Sequence, residues 1–381
     1  MAARAKPSPW LLALGGLAAM AAAMGVGRFV FTPILPGMMR GLGWSASEAG
    51  LIASANFLGY LAGALAAATP WLRGGRGALL AALATSALTT ALSGVFSAFW
   101  LIALIRFVSG VASAFTLVFA SALVLQRLVA AGAPALSAVH FAGVGSGIAL
   151  SALLVNILAG QGAEWRGLWL GAGGVAALAV PLVYLLIPPA DEAAAGAAAR
   201  PRFAPGVAFW RLLIAYGLFG FGYVITATFI VALVRGDAAL QPIEPYVWLI
   251  FGLAAAPSVW LWTVAARRWG TGAVFRAACV VEAAGVALSV LGLGTAGIIA
   301  SAVLLGGTFM GLTALGIAAG RMMAGTAGQQ AVGLLTAAFG LGQIIGPLFA
   351  GVVRDAAGSF TAPTLAAAGV LVLAALITPK L

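Results

Sequence analysis

The sequence predicts an all-α membrane protein of about twelve transmembrane helices in two pseudo-symmetric six-helix bundles, and three observations predict it. The first is composition: 63% of the 381 residues are hydrophobic and 7% are charged, against roughly 25% charged in a soluble domain. So few charges cannot cover a surface in water, and lipid is the solvent implied for most of the chain. The second is the recurrence of apolar runs long enough for helices of ~20 residues to cross ~30 Å of hydrocarbon. The third is an internal likeness between the two halves.

Taken in order, the apolar runs between turn signals lie at 10–38, 48–70, 77–97, 99–123, 135–158 and 166–187, then at 207–232, 246–264, 272–292, 295–320, 328–351 and 361–379. Arg4 and Lys6 ahead of the first run imitate a secretory signal, but the run passes Phe31 and Ile34 to reach Met38. That is too long for the apolar region of a cleaved leader, so it reads as an uncleaved first span. Between the sixth and seventh runs, Pro188-Pro189-Ala190-Asp191-Glu192 and an Ala/Gly tract to Pro205 form the longest break. The expected organisation is an N-terminal six-helix bundle at 1–188, a linker at 189–206 and a C-terminal six-helix bundle at 207–381.

The net charge of +11 invites nucleic acid as a partner, but the basic residues follow the loops. With the N-terminus inside, thirteen of the 19 basic residues fall on the inner face and four, Arg40, Arg166, Arg235 and Arg354, on the outer. The positive-inside rule then puts both termini and the linker in the cytoplasm of a bacterial inner (plasma) membrane, and the charge is a topology signal with no nucleic-acid partner. One cysteine, Cys279, excludes an internal disulfide, and one histidine, His140, excludes a multi-histidine metal site. No cofactor or metal is expected.

The halves line up at nearly one offset. Gly25-Val-Gly27-Arg28 matches Gly220-Phe-Gly222-Tyr223, Gly50 matches Gly252, Ser109-Gly110 with Thr116 matches Gly306-Gly307 with Thr313, and Gly143-Val-Gly145 matches Gly340-Leu-Gly342. Parallel repeats of this kind place a solute site near the midplane, between halves that rock.

Few residues there can carry chemistry. Arg28 lies ~15 Å below the outer end of span 1, and Arg106 ~10 Å below that of span 4, at 1.5 Å per residue. A guanidinium at that depth must face a cavity or a partner. The solute-binding reading is set against capping of carbonyls freed by Pro33 for Arg28, and against helix packing or switching for Arg106. Fixed positive charge exceeds negative, because Glu282 is the one deep acid and Glu48 sits at a span end. A guanidinium fork suits carboxylate or phosphate, so a small organic anion is the leading cargo. Asn56, Tyr60, Tyr223, Thr226 and Gln343 are further mid-span candidates for holding a solute, against the alternative of interhelical hydrogen bonding. Glu282 and His140 are the proton-coupling candidates; for Glu282 the alternative is snorkelling or pairing with Arg276. A Gly-x-Gly-x-x-Gly run at Gly292 has no strand before it, and no phosphate loop, metalloprotease motif or nucleophile elbow occurs, so an enzyme is not expected.

Arg106-Phe-Val-Ser-Gly110 resembles the RxxxG motif in the fourth helix of the major facilitator superfamily (the MFS fold), a motif associated there with proton-coupled transport. Arg73-Gly-Gly-Arg76-Gly77 and Arg267-Arg268-Trp269-Gly270 resemble its loops after helices 2 and 8, without their usual aspartate. Gly25 to Pro36, Gly306 to Gly316 and Gly340 to Pro347 are similar to the poorly characterised YbfB/YjiJ-like branch over nearly the whole chain. The resemblance implies a monomeric, secondary, proton-linked transporter in the lipid bilayer, with helices 1, 4, 7 and 10 lining a path that holds Arg28, Arg106 and Tyr223. The helix 5 antiporter motif, with its Gly-Pro pair, is absent from 143–147. Multidrug or metabolite efflux is the alternative, and a lipid flippase or membrane-embedded enzyme the alternative of another class.

Overall fold

The computed structural model describes residues 8–69, 75–189 and 203–380. Among them every regular element is helical. Arg4, Lys6, Arg73, Arg200, Arg202 and most of the expected linker lie outside the described residues.

The first span is not one rod. α1 (Pro9–Met20) runs into a π-helical stretch, Ala21–Val26, and an irregular turn at 27–30 before α2 (Phe31–Leu42). The Gly27 amide donates to the Ala22 carbonyl at 2.8 Å and that of Phe29 to Met24 at 3.1 Å, the wide pairing of a π-turn. Gly25 and Gly27 weaken the helix, and Pro33 and Pro36 lack the amide that would continue it, so the span breaks between them.

The remaining helices are α3 (Ala46–Ala67), α4 (Arg76–Leu92), α5 (Phe99–Ala130), α6 (Ser137–Gly160), α7 (Trp165–Leu186), α8 (Val207–Arg235), α9 (Glu244–Ala255), α10 (Ser258–Trp269), α11 (Thr271–Leu288), α12 (Gly294–Ala324), α13 (Gly328–Ala357) and α14 (Thr361–Ile377). Glu48 is a cap: its amide donates to Ser45 Oγ at 3.1 Å and its carboxylate accepts from the Ser45 amide at 2.8 Å, starting α3. Gly43 and Gly358 end α2 and α13 at φ of 69° and 73°, a conformation that a Cβ disfavours. Nine of the described helices are long and apolar enough to cross a membrane, α1 through α2 counting as one, and the pair broken by 42° around Pro257 makes a tenth. α4 and α14 are apolar but reach only 17 residues each.

Packing repeats along the chain. A methyl group on Gly25 would stand 2.4 Å from the Gly147 Cα, and one on Gly342 would stand 3.1 Å from the Gly220 carbonyl carbon, so α8 crosses α13 as the first span crosses α6. In the same way a methyl on Gly110 would stand 2.0 Å from the Asn56 carbonyl oxygen, and one on Gly306 would stand 2.2 Å from that of Phe251. Only glycine permits backbones to come so near.

Helices before the linker meet those after it along α3–α13, α6–α9 and α2–α8. At the end that the charges assign to the outside, these seams are shut. Gly50 faces the Pro347 carbonyl, Gly351 that of Ala46, and Gly252 the Ala149 amide, each within 2.4 Å of where a Cβ would be. The Asp355 carboxylate accepts from the amides of Ala46 at 3.2 Å and Ser47 at 2.8 Å, where α3 presents the positive end of its dipole, and from Ser47 Oγ at 2.5 Å. Asn156 donates to the Pro245 carbonyl at 2.6 Å. At the opposite end no hydrogen bond joins the two parts among the described residues; there Arg127 holds the carbonyls of Pro188 and Pro189 at 2.7 and 2.6 Å. The first span and α8 are the most buried of the membrane-crossing segments. Leu185, Trp100 and Leu178, at 77%, 73% and 70% exposed, belong to the lipid-facing perimeter.

Candidate functional site

The break in the first span delivers Arg28 to the middle of the protein, where it is 4% exposed. The break also frees two carbonyls, those of Gly27 and Arg28, and Arg106 of α5 takes both: Nη1 donates to Gly27 and Nη2 to Arg28, each at 3.0 Å. A planar fork matches two successive carbonyls as it matches a carboxylate. Phe31 and Trp169 flank that guanidinium at 5.4 and 5.1 Å. Asn56 of α3 donates to the Arg106 carbonyl at 2.8 Å and ties α3 to α5.

Arg28 is held differently. Its Nη2 donates to Gln343 Oε1 at 3.0 Å across the seam, and Gln343 Nε2 donates in turn to the Tyr223 hydroxyl of α8. The rings of Tyr60, Phe57 and Phe29 surround its guanidinium carbon at 4.0, 4.7 and 5.4 Å. Its Nε has no acceptor, nor has that of Arg106, but Arg106 fills both of its terminal nitrogens while Arg28 uses only Nη2. Among the described residues the only ion pairs are Arg235–Glu244 and Arg354–Asp355, at helix ends. The central cation therefore rests on π faces and one amide oxygen, with a donor to spare.

A cavity of ≈20 Å³ lies beside it, bordered by Arg28, Arg106, Asn56, Phe57, Thr32 and Thr228. That holds about one water, so this arrangement is closed around its centre. Behind Gln343, near-parallel rings form a ladder: Tyr216 on Phe339 at 5.1 Å, Phe339 on Tyr223 at 5.8 Å, and Tyr223 on Phe309 at 5.6 Å.

Of the residues singled out by sequence, Arg28, Tyr60, Tyr223 and Gln343 converge, with Arg106 and Asn56 adjoining. Thr226 is buried with its hydroxyl unpartnered and does not border the cavity. His140 lies among α1, α5 and α6, its Nε2 3.1 Å from Ser121 Oγ and its Nδ1 against Gly16. Glu282, on α11, is fully buried and makes no salt bridge with Arg276, so it neither snorkels nor pairs. Thr32, Phe57 and Thr228 border the cavity and were not singled out. Thr32 carried a signal: its hydroxyl donates at 2.8 Å to the carbonyl of Ala227, 195 residues on, which is its own mate in the repeat.

The profile of a family described as uncharacterised MFS-type transporter YbfB matches residues 20–379. No curated protein matches the chain. Among solved structures, the nucleoside transporter NupG is 17% identical with a TM-score of 0.74, covering 96% of this chain and 98% of that one. The human organic anion transporter MFSD10 (TETRAN) is 18% identical with a TM-score of 0.69, covering 98% and 100%. At such identities the two structures establish the fold, while the profile spans the site as well as the fold. The chain therefore belongs to the YbfB-type family of the major facilitator superfamily, a multi-pass membrane transporter of a small solute rather than an enzyme.

Proposed function

We propose that this protein is a secondary transporter of a small organic anion, working by alternating access between two six-helix bundles at 1–188 and 207–381. The short helices α4 and α14 complete a set of twelve spans in a bacterial inner membrane, with both termini and the 189–206 linker cytoplasmic. One observation carries the reading: a buried guanidinium at the break in the first span, lacking any carboxylate and keeping an unused Nε donor. Burying an unpaired cation costs several kcal/mol unless something compensates it for part of the cycle. In this reading an anionic oxygen of the cargo takes the place of Gln343 Oε1 on Arg28, and Tyr60, Tyr223 and Asn56 are the hydrogen-bonding groups nearest to the rest of it. Arg106 contributes its charge, since its fork is spent on the backbone. We read the seams shut at the outer end as those of a carrier closed to the outside, whose next opening is to the cytoplasm.

The test is solute exchange in proteoliposomes over a panel of carboxylates, sulfonates, amino acids and sugars. Arg28→Ala and Arg28→Lys should each cut exchange on the order of tenfold or more, since one charge-assisted hydrogen bond is worth about 1.5–3 kcal/mol, while the protein remains folded. Undiminished exchange by Arg28→Ala overturns the proposal. The aromatic ladder favours a second reading, efflux of apolar compounds, and the same panel extended to hydrophobic cations decides between them.

A further inference from the structure

Glu282 is the one carboxylate that the fold buries in the protein's interior among the described residues, and the site around Arg28 makes no direct use of it. It is 0% exposed, and neither carboxylate oxygen makes a hydrogen bond. Its polar neighbour is the Thr308 hydroxyl of α12. That hydroxyl donates to the Leu304 carbonyl at 2.6 Å, and the carboxylate itself is left without a hydrogen bond. An ionised carboxylate buried here would have neither donor nor cation to compensate it, whereas the neutral acid carries no such cost. The packed helices supply no such cation. α14 carries no ionisable residue, α12 has only Arg321 at its exposed end, and α10 has only Arg267 and Arg268 at its exposed end. On α11 the neighbours are Cys279, one turn away, and Arg276, which forms no pair with it. α8 presents Tyr216 and Tyr223, and its arginines, Arg211 and Arg235, sit at its two ends and are bonded elsewhere.

We infer that Glu282 is a proton-binding site of the transport cycle, occupied in the arrangement seen here, and that its proton is thermodynamically linked to the anion at Arg28. The link is electrostatic. Tyr223, hydrogen-bonded through Gln343 to Arg28, stands on α8, which packs against α11, the helix that carries Glu282. With Glu282 neutral the buried core carries the two positive charges of Arg28 and Arg106; with Glu282 ionised it carries one fewer. In a low-dielectric interior that difference acts over distance. A bound proton therefore strengthens anion binding, and by reciprocity a bound anion retains the proton. Positive linkage of this sign yields proton–anion symport, with one proton and one monovalent anion moving without net charge. A cavity of ≈220 Å³ opens among α10, α11 and α12, bordered by Arg267, Thr271 and Leu315, and Leu315 is about 10 Å along α12 from Thr308 at 1.5 Å per residue.

This inference rests on the anion reading above, and the test separates them. In the first arm, infrared spectra of wild type and E282Q, purified and reconstituted in phosphatidylethanolamine/phosphatidylglycerol vesicles at about pH 7, are subtracted. A protonated-acid carbonyl band that shifts in heavy water, disappears in E282Q and moves in E282D is expected; carboxylate bands in its place overturn the inference without any transport measurement. In the second arm the probe is benzenesulfonate, whose charge does not titrate. A gradient of about one pH unit should concentrate it about tenfold in wild-type vesicles, and not at all with E282Q. Wild-type exchange that depends on Arg28 but shows no pH-driven accumulation, or full accumulation by E282Q, overturns the coupling and leaves the anion reading standing. Absence of any Arg28-dependent exchange counts against the anion reading, with the infrared arm still deciding the state of Glu282.

Discussion

Arg28 and Arg106 put the same side chain to two uses. Arg106 replaces the hydrogen bonds that the first span loses at its break, so Arg106→Ala strands two buried carbonyls, at about 1–3 kcal/mol each. A lower melting temperature in detergent is expected, with Arg106→Lys intermediate because an ammonium cannot reach both oxygens as a fork does. Arg28→Ala instead removes an incompletely satisfied cation, and its melting temperature should hold or rise. A fall as large as that of Arg106→Ala would reassign Arg28 to structure. Both arginines were legible in the sequence by depth alone, as was the meeting of Arg28 with Tyr223 through the repeat. Which guanidinium would cap the freed carbonyls was not, since that depends on the crossing of α5 over the break. The capping that the sequence offered to Arg28, through Pro33, is performed by Arg106. Glu282 was legible as a deep acid, but its lack of any hydrogen-bond partner shows only in three dimensions.

At the scale of elements, the glycine contacts of α3 with α13 decide how the outer end closes. Gly351→Val puts a branched side chain where a Cβ already falls 2.3 Å from the Ala46 carbonyl, and should hold that seam apart. Asp355→Ala, which removes the acceptor for the Ala46 and Ser47 amides, should act in the same direction more weakly. Ser54 of α3 donates to the Ile344 carbonyl of α13 at 2.6 Å, and a cysteine in its place reports the opening by faster reaction with a water-soluble thiol reagent. The background is low, because the native Cys279 is buried. Unchanged reactivity in Gly351→Val would show that the seam does not gate access. The span positions were readable from apolar runs and turn residues. The π-helical stretch was not, because its alanines suit an ordinary helix equally well, and the fracture between α9 and α10 was announced only by Pro257.

For the whole molecule, helix crossings that recur before and after the linker meet at the hydrogen bond from Thr32 to Ala227, a residue and its counterpart in the repeat, and we propose two similar units on that ground. Units built this way should assemble without a covalent tether. Co-expressing residues 1–188 with residues 207–381 as separate chains should restore exchange lost by either alone; two inert, non-associating fragments would argue against a six-plus-six division. The likeness of the halves was readable from glycine spacings to within a residue or two: the contact of Gly110 recurs at Gly306 where the spacing pointed to Gly307, and the counterpart of Gly342 is Gly147 where it pointed to Gly145.

The wide turn at Ala21–Val26 has a further implication for reading related sequences. It inserts about one extra residue into a register of 3.6 per turn, and a residue more or less rotates everything beyond it by about 100°. A chain one residue shorter between Gly16 and Arg28 would keep the same apolar run and the same motif letters, yet aim its arginine at a different neighbour. Gaps in that short interval, more than substitutions around it, are the place to look when cargo preference diverges.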